Sequence, residues 1–133
     1  MALDIGDKRI GVALSDPSRM LATPLTIIER KNDAAAVAAI AKIITEKQVA
    51  RVIAGMPYAP DGGVGQQAQK TQDFAEQLRA RLKVPLEFRD ERLSTATAQR
   101  LIREAATKKS AKKAPDDAIA AAVILQEYLD EGN

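Results

Sequence analysis

The chain contains no histidine, no cysteine and no tryptophan, and these absences exclude most of the common catalytic chemistries. Without histidine there is no Ser-His-Asp triad, no Cys-His pair, no HExxH zinc site and no imidazole base. Without cysteine there is no disulfide framework, thiolate zinc site or thiol nucleophile. Any catalysis must draw on carboxylates, Lys, Arg, Ser, Thr, Tyr or bound metal ions. Aromatics are scarce as well. Tyr58, Phe74, Phe88 and Tyr128 are the whole complement, so Ala, Val, Ile and Leu do most of the packing. No stretch approaches the roughly 18 apolar residues that span a bilayer, and the N-terminus has no signal-peptide core. These features predict a soluble intracellular protein with no membrane partner.

What is present suffices for a core. The 133 residues are 46% hydrophobic, which predicts one domain of ordinary size over residues 1–133. The net charge is +2, from 20 Lys and Arg against 18 Asp and Glu. That surplus is too small to identify a polyanionic partner, and only the distribution of the charges can do so.

Along the chain the hydrophobic period changes. Met1 to Ile5 reads as a short apolar strand, followed by a turn through Gly6-Asp7-Lys8. Arg9 to Ser15 reads as a second strand, in which Ile10, Val12 and Leu14 alternate with Gly11, Ala13 and Ser15. A third strand is predicted from about Thr23 to Arg30. Asn32-Asp33 then offers a helix cap, with Val37, Ile40, Ala41 and Ile44 at helical spacing. Arg51 to Gly55 reads as a strand and Gly62 to Gly65 as a loop. A second helix follows with Thr71, Phe74, Leu78 and Leu82 on one face. Val84 to Asp90 is the last strand. Ser94 or Thr95 caps a third helix carrying Ala98, Leu101, Ile102 and Ala105. A polar stretch from Thr107 to Ala114 holds four lysines and reads as a solvated loop. Asp116 or Asp117 starts a last helix packed through Ala121, Ile124, Leu125 and Tyr128. The order β-β-β-α-β-α-β-α-α predicts an α/β fold. Its mixed five-stranded sheet has an antiparallel meander, parallel strands and helices on both faces.

Acidic residues fall at three informative places: Asp4 in the first strand, Asp90-Glu91 closing the last strand, and Asp116-Asp117 opening the last helix. The parallel part of such a sheet can bring these ends to one side. Converging carboxylates, without His or Cys, suit a hard divalent cation such as Mg²⁺ or Mn²⁺, and such ions promote phosphodiester hydrolysis. Each residue also has a plainer reading. Asp4 can be a solvated residue entering a turn, Glu91-Arg92 a surface pair, and Asp116 or Asp117 a helix cap. The glycines near Met56-Pro57 lack the GK[ST] of a Walker loop. The run Lys108, Lys109, Lys112 and Lys113 can contact a phosphate backbone or simply be solvated, and Lys8-Arg9 is the better placed basic pair.

At these residues the sequence resembles a known family. Leu3-Asp4-Ile5-Gly6-Asp7-Lys8-Arg9-Ile10-Gly11-Val12-Ala13-Leu14-Ser15-Asp16 resembles the opening signature of the YqgF family, also called RuvX. Its members are proposed Holliday junction resolvases and proposed ribosomal RNA precursor nucleases. Gly55-Met56-Pro57 with Gly62, Gly65, Ala68, Phe74 and Leu78 resembles a second block of that family. Asp90-Glu91-Arg92-Leu93-Ser94-Thr95 resembles a third, and Asp117 through Asp130 a fourth. The resemblance implies an RNase H-like fold and a Mg²⁺- or Mn²⁺-dependent nuclease with metal-binding, catalytic carboxylates at Asp4, Glu91 and Asp117. It also implies a bacterial cytoplasmic protein, with ribosome maturation at the 5′ end of pre-16S rRNA as the favoured role, ribosomal precursor particles as partners, and resolution of branched DNA as the older proposal. On that footing Lys8, Arg9, Arg92, Ser94 and Thr95 would hold structured RNA or branched DNA, and Tyr58 could stack on a base. The protein is expected to be a monomer or weak homodimer. Two rivals stand beside this reading: a non-catalytic nucleic-acid-binding module, and a nucleotide site of the actin-like type suggested by Asp4-x-Gly6. The latter needs two lobes, for which the chain is too short.

Overall fold

A computed structural model describes residues 1–91, 96–110 and 115–132 of the chain. The alternating N-terminal segments pair as β1 (Ala2–Ile5), β2 (Arg9–Ser15) and β3 (Ala22–Glu29), an antiparallel meander. There follow α1 (Asp33–Glu46), β4 (Val52–Met56), α2 (Gln66–Arg81), β5 (Leu86–Asp90), α3 (Ala96–Ser110) and α4 (Asp116–Gly132). The sheet order is β3-β2-β1-β4-β5, with β4 parallel to β1 and β5 parallel to β4. This is the expected mixed five-stranded sheet, and helices cover both of its faces.

The two faces differ in the size of their side chains. Leu3, Ile5, Ile10, Val12, Val52 and Leu86 meet α1 and α2 through Val37, Ile40, Phe74 and Leu78. Ala2, Ala13, Ala22 and Ile53 form the other face and meet α4. Small residues let a helix backbone approach a strand closely, and α4 brings small residues of its own, Ala118, Ala121 and Ala122. Because α4 lies between the sheet and α3, it is buried almost all round, through Ile119, Val123, Ile124, Leu125 and Leu129. The cap expected at Asn32 is present: its side chain accepts a 2.8 Å hydrogen bond from the Ala35 amide, satisfying an otherwise orphaned donor.

α3 differs from the expectation in phase and in length. Leu101 is 55% exposed and Ala105 also faces solvent, whereas Ile102 and Ala106 are buried, with Ala98 packed beside them. α3 rests mainly on α4, with a smaller contact to β3, so it needs only a narrow stripe spaced by four residues, and the wider face read from sequence is not used. The helix also continues to Ser110 through the start of the polar stretch that was expected to be a loop. Thr107 is accommodated there by a 2.9 Å bond from its hydroxyl to the Arg103 carbonyl one turn back. Among the described residues no helix is long and apolar enough to cross a membrane.

Candidate metal and nucleic-acid site

β1, β4 and β5 are parallel, so their C-terminal ends share one edge of the sheet. Asp4 alternates with Leu3 and Ile5 and therefore lies on the face of Ala2, under α4. Its cross-strand partner is Gly11. A Cβ on Gly11 would lie 1.9 Å from the carbonyl oxygen of Asp117. Only glycine permits that contact, and it seats the first turn of α4 beside Asp4.

Glu91 directly follows β5. Asp90 shares the parity of Leu86 and Phe88, which pack on the opposite face, and the next residue is thereby turned toward α4. Gly55 on the neighbouring strand leaves the room: a Cβ there would lie 2.6 Å from Ile124 Cδ1 and 3.4 Å from Glu91 Cδ. Glu91 donates a side-chain hydrogen bond to Asp4. Two carboxyls can share such a bond only while one keeps its proton. Burial pushes the Glu91 carboxyl up from 4.5 to about 8, with the bond to Asp4 and the Asp4 charge adding to the effect. Burial also raises Asp4, where the bond from Glu91 opposes the shift and the charge of Asp117 reinforces it.

The third expected carboxylate is near but directed elsewhere. Asp117 Oδ2 lies 3.3 Å from Arg9 Nε. Asp116 Oδ1 lies 2.9 Å from Arg103 Nη2, and its side chain is 82% exposed. Asp117 is thus the member of the pair that acts on Asp4, and Asp116 is a surface residue. Among the described residues no group of three or more His, Cys, Asp or Glu side chains converges tightly enough to hold an ion as placed. The donor set nonetheless suits a hard cation. It consists of carboxylate oxygens, two of them half-buried and joined by a hydrogen bond.

Lys8 and Arg9 are exposed at the start of β2, on the same edge. Arg9, Ile27, Glu29, Pro115, Asp116 and Asp117 line a cleft of about 520 Å³ beside the carboxylates. A larger recess of about 620 Å³ lies at the other end of the strands, near Met1 and Ser15, away from this chemistry. Tyr58 is half-buried in the loop after β4. Arg92, Ser94 and Thr95 lie outside the described residues, as do Lys112 and Lys113, while Lys108 and Lys109 belong to α3. Sequence reasoning missed the steric roles of Gly11 and Gly55. The alternation of glycine with large residues in Ile10-Gly11-Val12 was the available signal.

A family profile described as "RuvX: Holliday junction resolvase" matches residues 1–131. A "Putative pre-16S rRNA nuclease" of Roseiflexus sp. (strain RS-1) is 43% identical over 130 residues, covering 98% of this chain and 92% of the relative. A protein of the same description from Dehalococcoides mccartyi is 46% identical over 129 residues, covering 97% and 96%. Among solved structures, T. thermophilus RuvC in complex with a Holliday junction substrate superposes with a TM-score of 0.67 at 12% identity, covering 98% of this chain and 92% of that one. The Fowlpox virus resolvase in complex with Holliday junction DNA gives 0.57 at 14% identity, covering 97% and 95%. At such identities the likeness is one of fold, and the fold is RNase H-like.

Proposed function

The chain belongs to the RuvX family, and from that premise we propose that it is a divalent-metal-dependent nuclease that hydrolyses phosphodiester bonds in structured nucleic acid. The observation that carries this reading is the half-buried, hydrogen-bonded Asp4–Glu91 carboxyl pair at the C-terminal edge of the parallel strands, with Asp117 acting on Asp4 from the start of α4. Asp4, Glu91 and Asp117 are the residues that would hold Mg²⁺ or Mn²⁺. When bound, such an ion supplies Lewis acidity toward the phosphoryl oxygens and lowers the pKa of the attacking water.

The remaining work falls to the chain's own side chains. Holding such an ion would require Glu91 to release its proton to solvent, so that the pair could serve as two anionic donors. Asp117 would be the third carboxylate, and Arg9, its ion-pair partner, would then be available to a phosphate. Lys8 and Arg9 grip the backbone on one side of the scissile bond with charge-assisted hydrogen bonds. Arg92, Ser94 and Thr95, which follow Glu91 in sequence, would add further phosphate contacts. In-line attack by water would leave a 5′-phosphate and a 3′-hydroxyl.

The favoured substrate is the 5′ region of a pre-16S rRNA, within cytoplasmic ribosomal precursor particles, because the sequence relatives above 40% identity carry that description. The description of the family profile supports a second reading, four-way DNA junctions, whose symmetric cleavage would need two copies of the chain. The test is side-by-side cleavage of a ribosomal RNA precursor fragment and a four-way DNA junction, in Mg²⁺, in Mn²⁺ and in EDTA. Metal-dependent cleavage of the RNA alone is the expected result. Salt-sensitive binding that persists in EDTA, with neither substrate cut, would instead identify a non-catalytic binding module.

A further inference from the structure

Arg30 follows the edge strand β3, where a solvated side chain is the ordinary outcome. Its side chain is instead only 13% exposed. Nη1 donates to the Gly6 carbonyl at 2.9 Å and Nε to Asp33 Oδ1 at 2.8 Å. The guanidinium carbon lies 4.6 Å from the centroid of the Phe74 ring, a fully buried residue of α2. The Arg30 amide donates to the Lys8 carbonyl at 2.8 Å, and the Gly6 amide closes the same turn on the Arg9 carbonyl at 2.9 Å. One residue thus fixes the carbonyls on both sides of Asp7.

The turn held in this way carries Lys8 and Arg9. Phe74 and α1 lie on the face of the sheet opposite the Asp4 carboxyl, so Arg30 braces the turn from beneath without touching the carboxylates. Its planar fork serves two acceptors at once and stacks on a ring, which the single ammonium of a lysine cannot reproduce.

We propose that Arg30 is a positioning residue for nucleic-acid binding, setting the place of the Gly6–Arg9 turn and hence of Lys8 and Arg9 against the phosphate backbone. This rests on the nuclease reading above, in which those two side chains grip the substrate. The test compares Arg30→Gln and Arg30→Lys with the unaltered chain, using the precursor RNA fragment and the four-way junction as probes. Arg30→Gln is expected to raise KM and Kd about tenfold, while kcat and Mn²⁺ affinity measured by electron paramagnetic resonance stay within about twofold. Arg30→Lys should recover little of the loss. Full recovery by lysine would mean that charge alone suffices, and would overturn the proposal. So would a lowered Tm with KM and Kd unchanged well below it. Asp33→Asn removes the ionic partner at a half-exposed position, and should give a smaller change in the same direction even where the Arg30 variants fold poorly. If the unaltered chain binds both probes but cuts neither, the nuclease reading fails and the Kd comparison still decides the role of Arg30. If it binds neither, both fall together.

Discussion

Arg9 Nε lies 3.3 Å from Asp117 Oδ2, joining the first residue of β2 to the first turn of α4. The same guanidinium is therefore the counter-ion of one expected metal ligand and an expected contact for the substrate backbone. Both side chains are substantially exposed, so the pair is worth little to the fold, about 1 kcal/mol or less.

Arg9→Gln should consequently leave Tm nearly unchanged and weaken nucleic-acid binding. Losing one phosphate contact should reduce the slope of log K against log salt by about 1. A salt titration of Kd checks this, and an unaltered slope would remove Arg9 from the binding surface.

Asp4→Asn keeps the shape of the side chain and removes its charge. Cleavage under single-turnover conditions in Mg²⁺ should fall by about a hundredfold or more. Thermal stability in EDTA should not fall, because the amide oxygen can still accept the hydrogen bond from Glu91 while a charge that is costly to desolvate is removed. A variant that cuts as fast as the unaltered chain would sink the metal mechanism.

The pH dependence follows from the same pair. Burial raises both carboxyls above their ordinary range, so the native state holds protons that the unfolded chain releases. Their contribution to stability is full below the ordinary carboxylate range, and is lost as pH rises from about 4.5 toward about 8. In EDTA, Tm should therefore decline across that window. Saturating Mg²⁺ or Mn²⁺ should flatten the decline and release about one proton per site near pH 7, measurable by calorimetry in buffers of different ionisation enthalpy. A Tm that rises with pH in EDTA contradicts the buried pair.

Gly11→Ala places a methyl group 1.9 Å from backbone rather than from a movable side chain. It should cost about 2–3 kcal/mol in denaturant unfolding and move Asp117 away from Asp4. Gly55→Ala meets the movable Cδ1 of Ile124 and the Glu91 carboxyl, so it should cost less stability and lower activity more. Equal effects of the two substitutions would argue against these contacts.

Much of the fold was legible in the chain because its causes are local. Alternation in β2 marks a strand, helical spacing from Val37 to Ile44 marks α1, and Asn32 is a cap wherever it precedes such a run. The phase of α3 was not legible. Leu101 and Ile102 are both apolar, and only the positions of α4 and β3 decide which of them is covered.

The candidate site divides in the same way. Residue types and order along the chain determined that any metal chemistry here is carboxylate chemistry, because no histidine or cysteine is available. They also singled out Asp4, Glu91 and the Asp116-Asp117 pair. Tertiary structure alone decided that Asp117 acts on Asp4 while Asp116 points to solvent and Arg103, and that Arg30 turns inward beneath the Gly6–Arg9 turn. Those outcomes depend on how closely α4 settles on Gly11 and on what β3 brings beside Phe74. Such distances arise between segments about 45 to 105 residues apart, and no local pattern in the sequence encodes them.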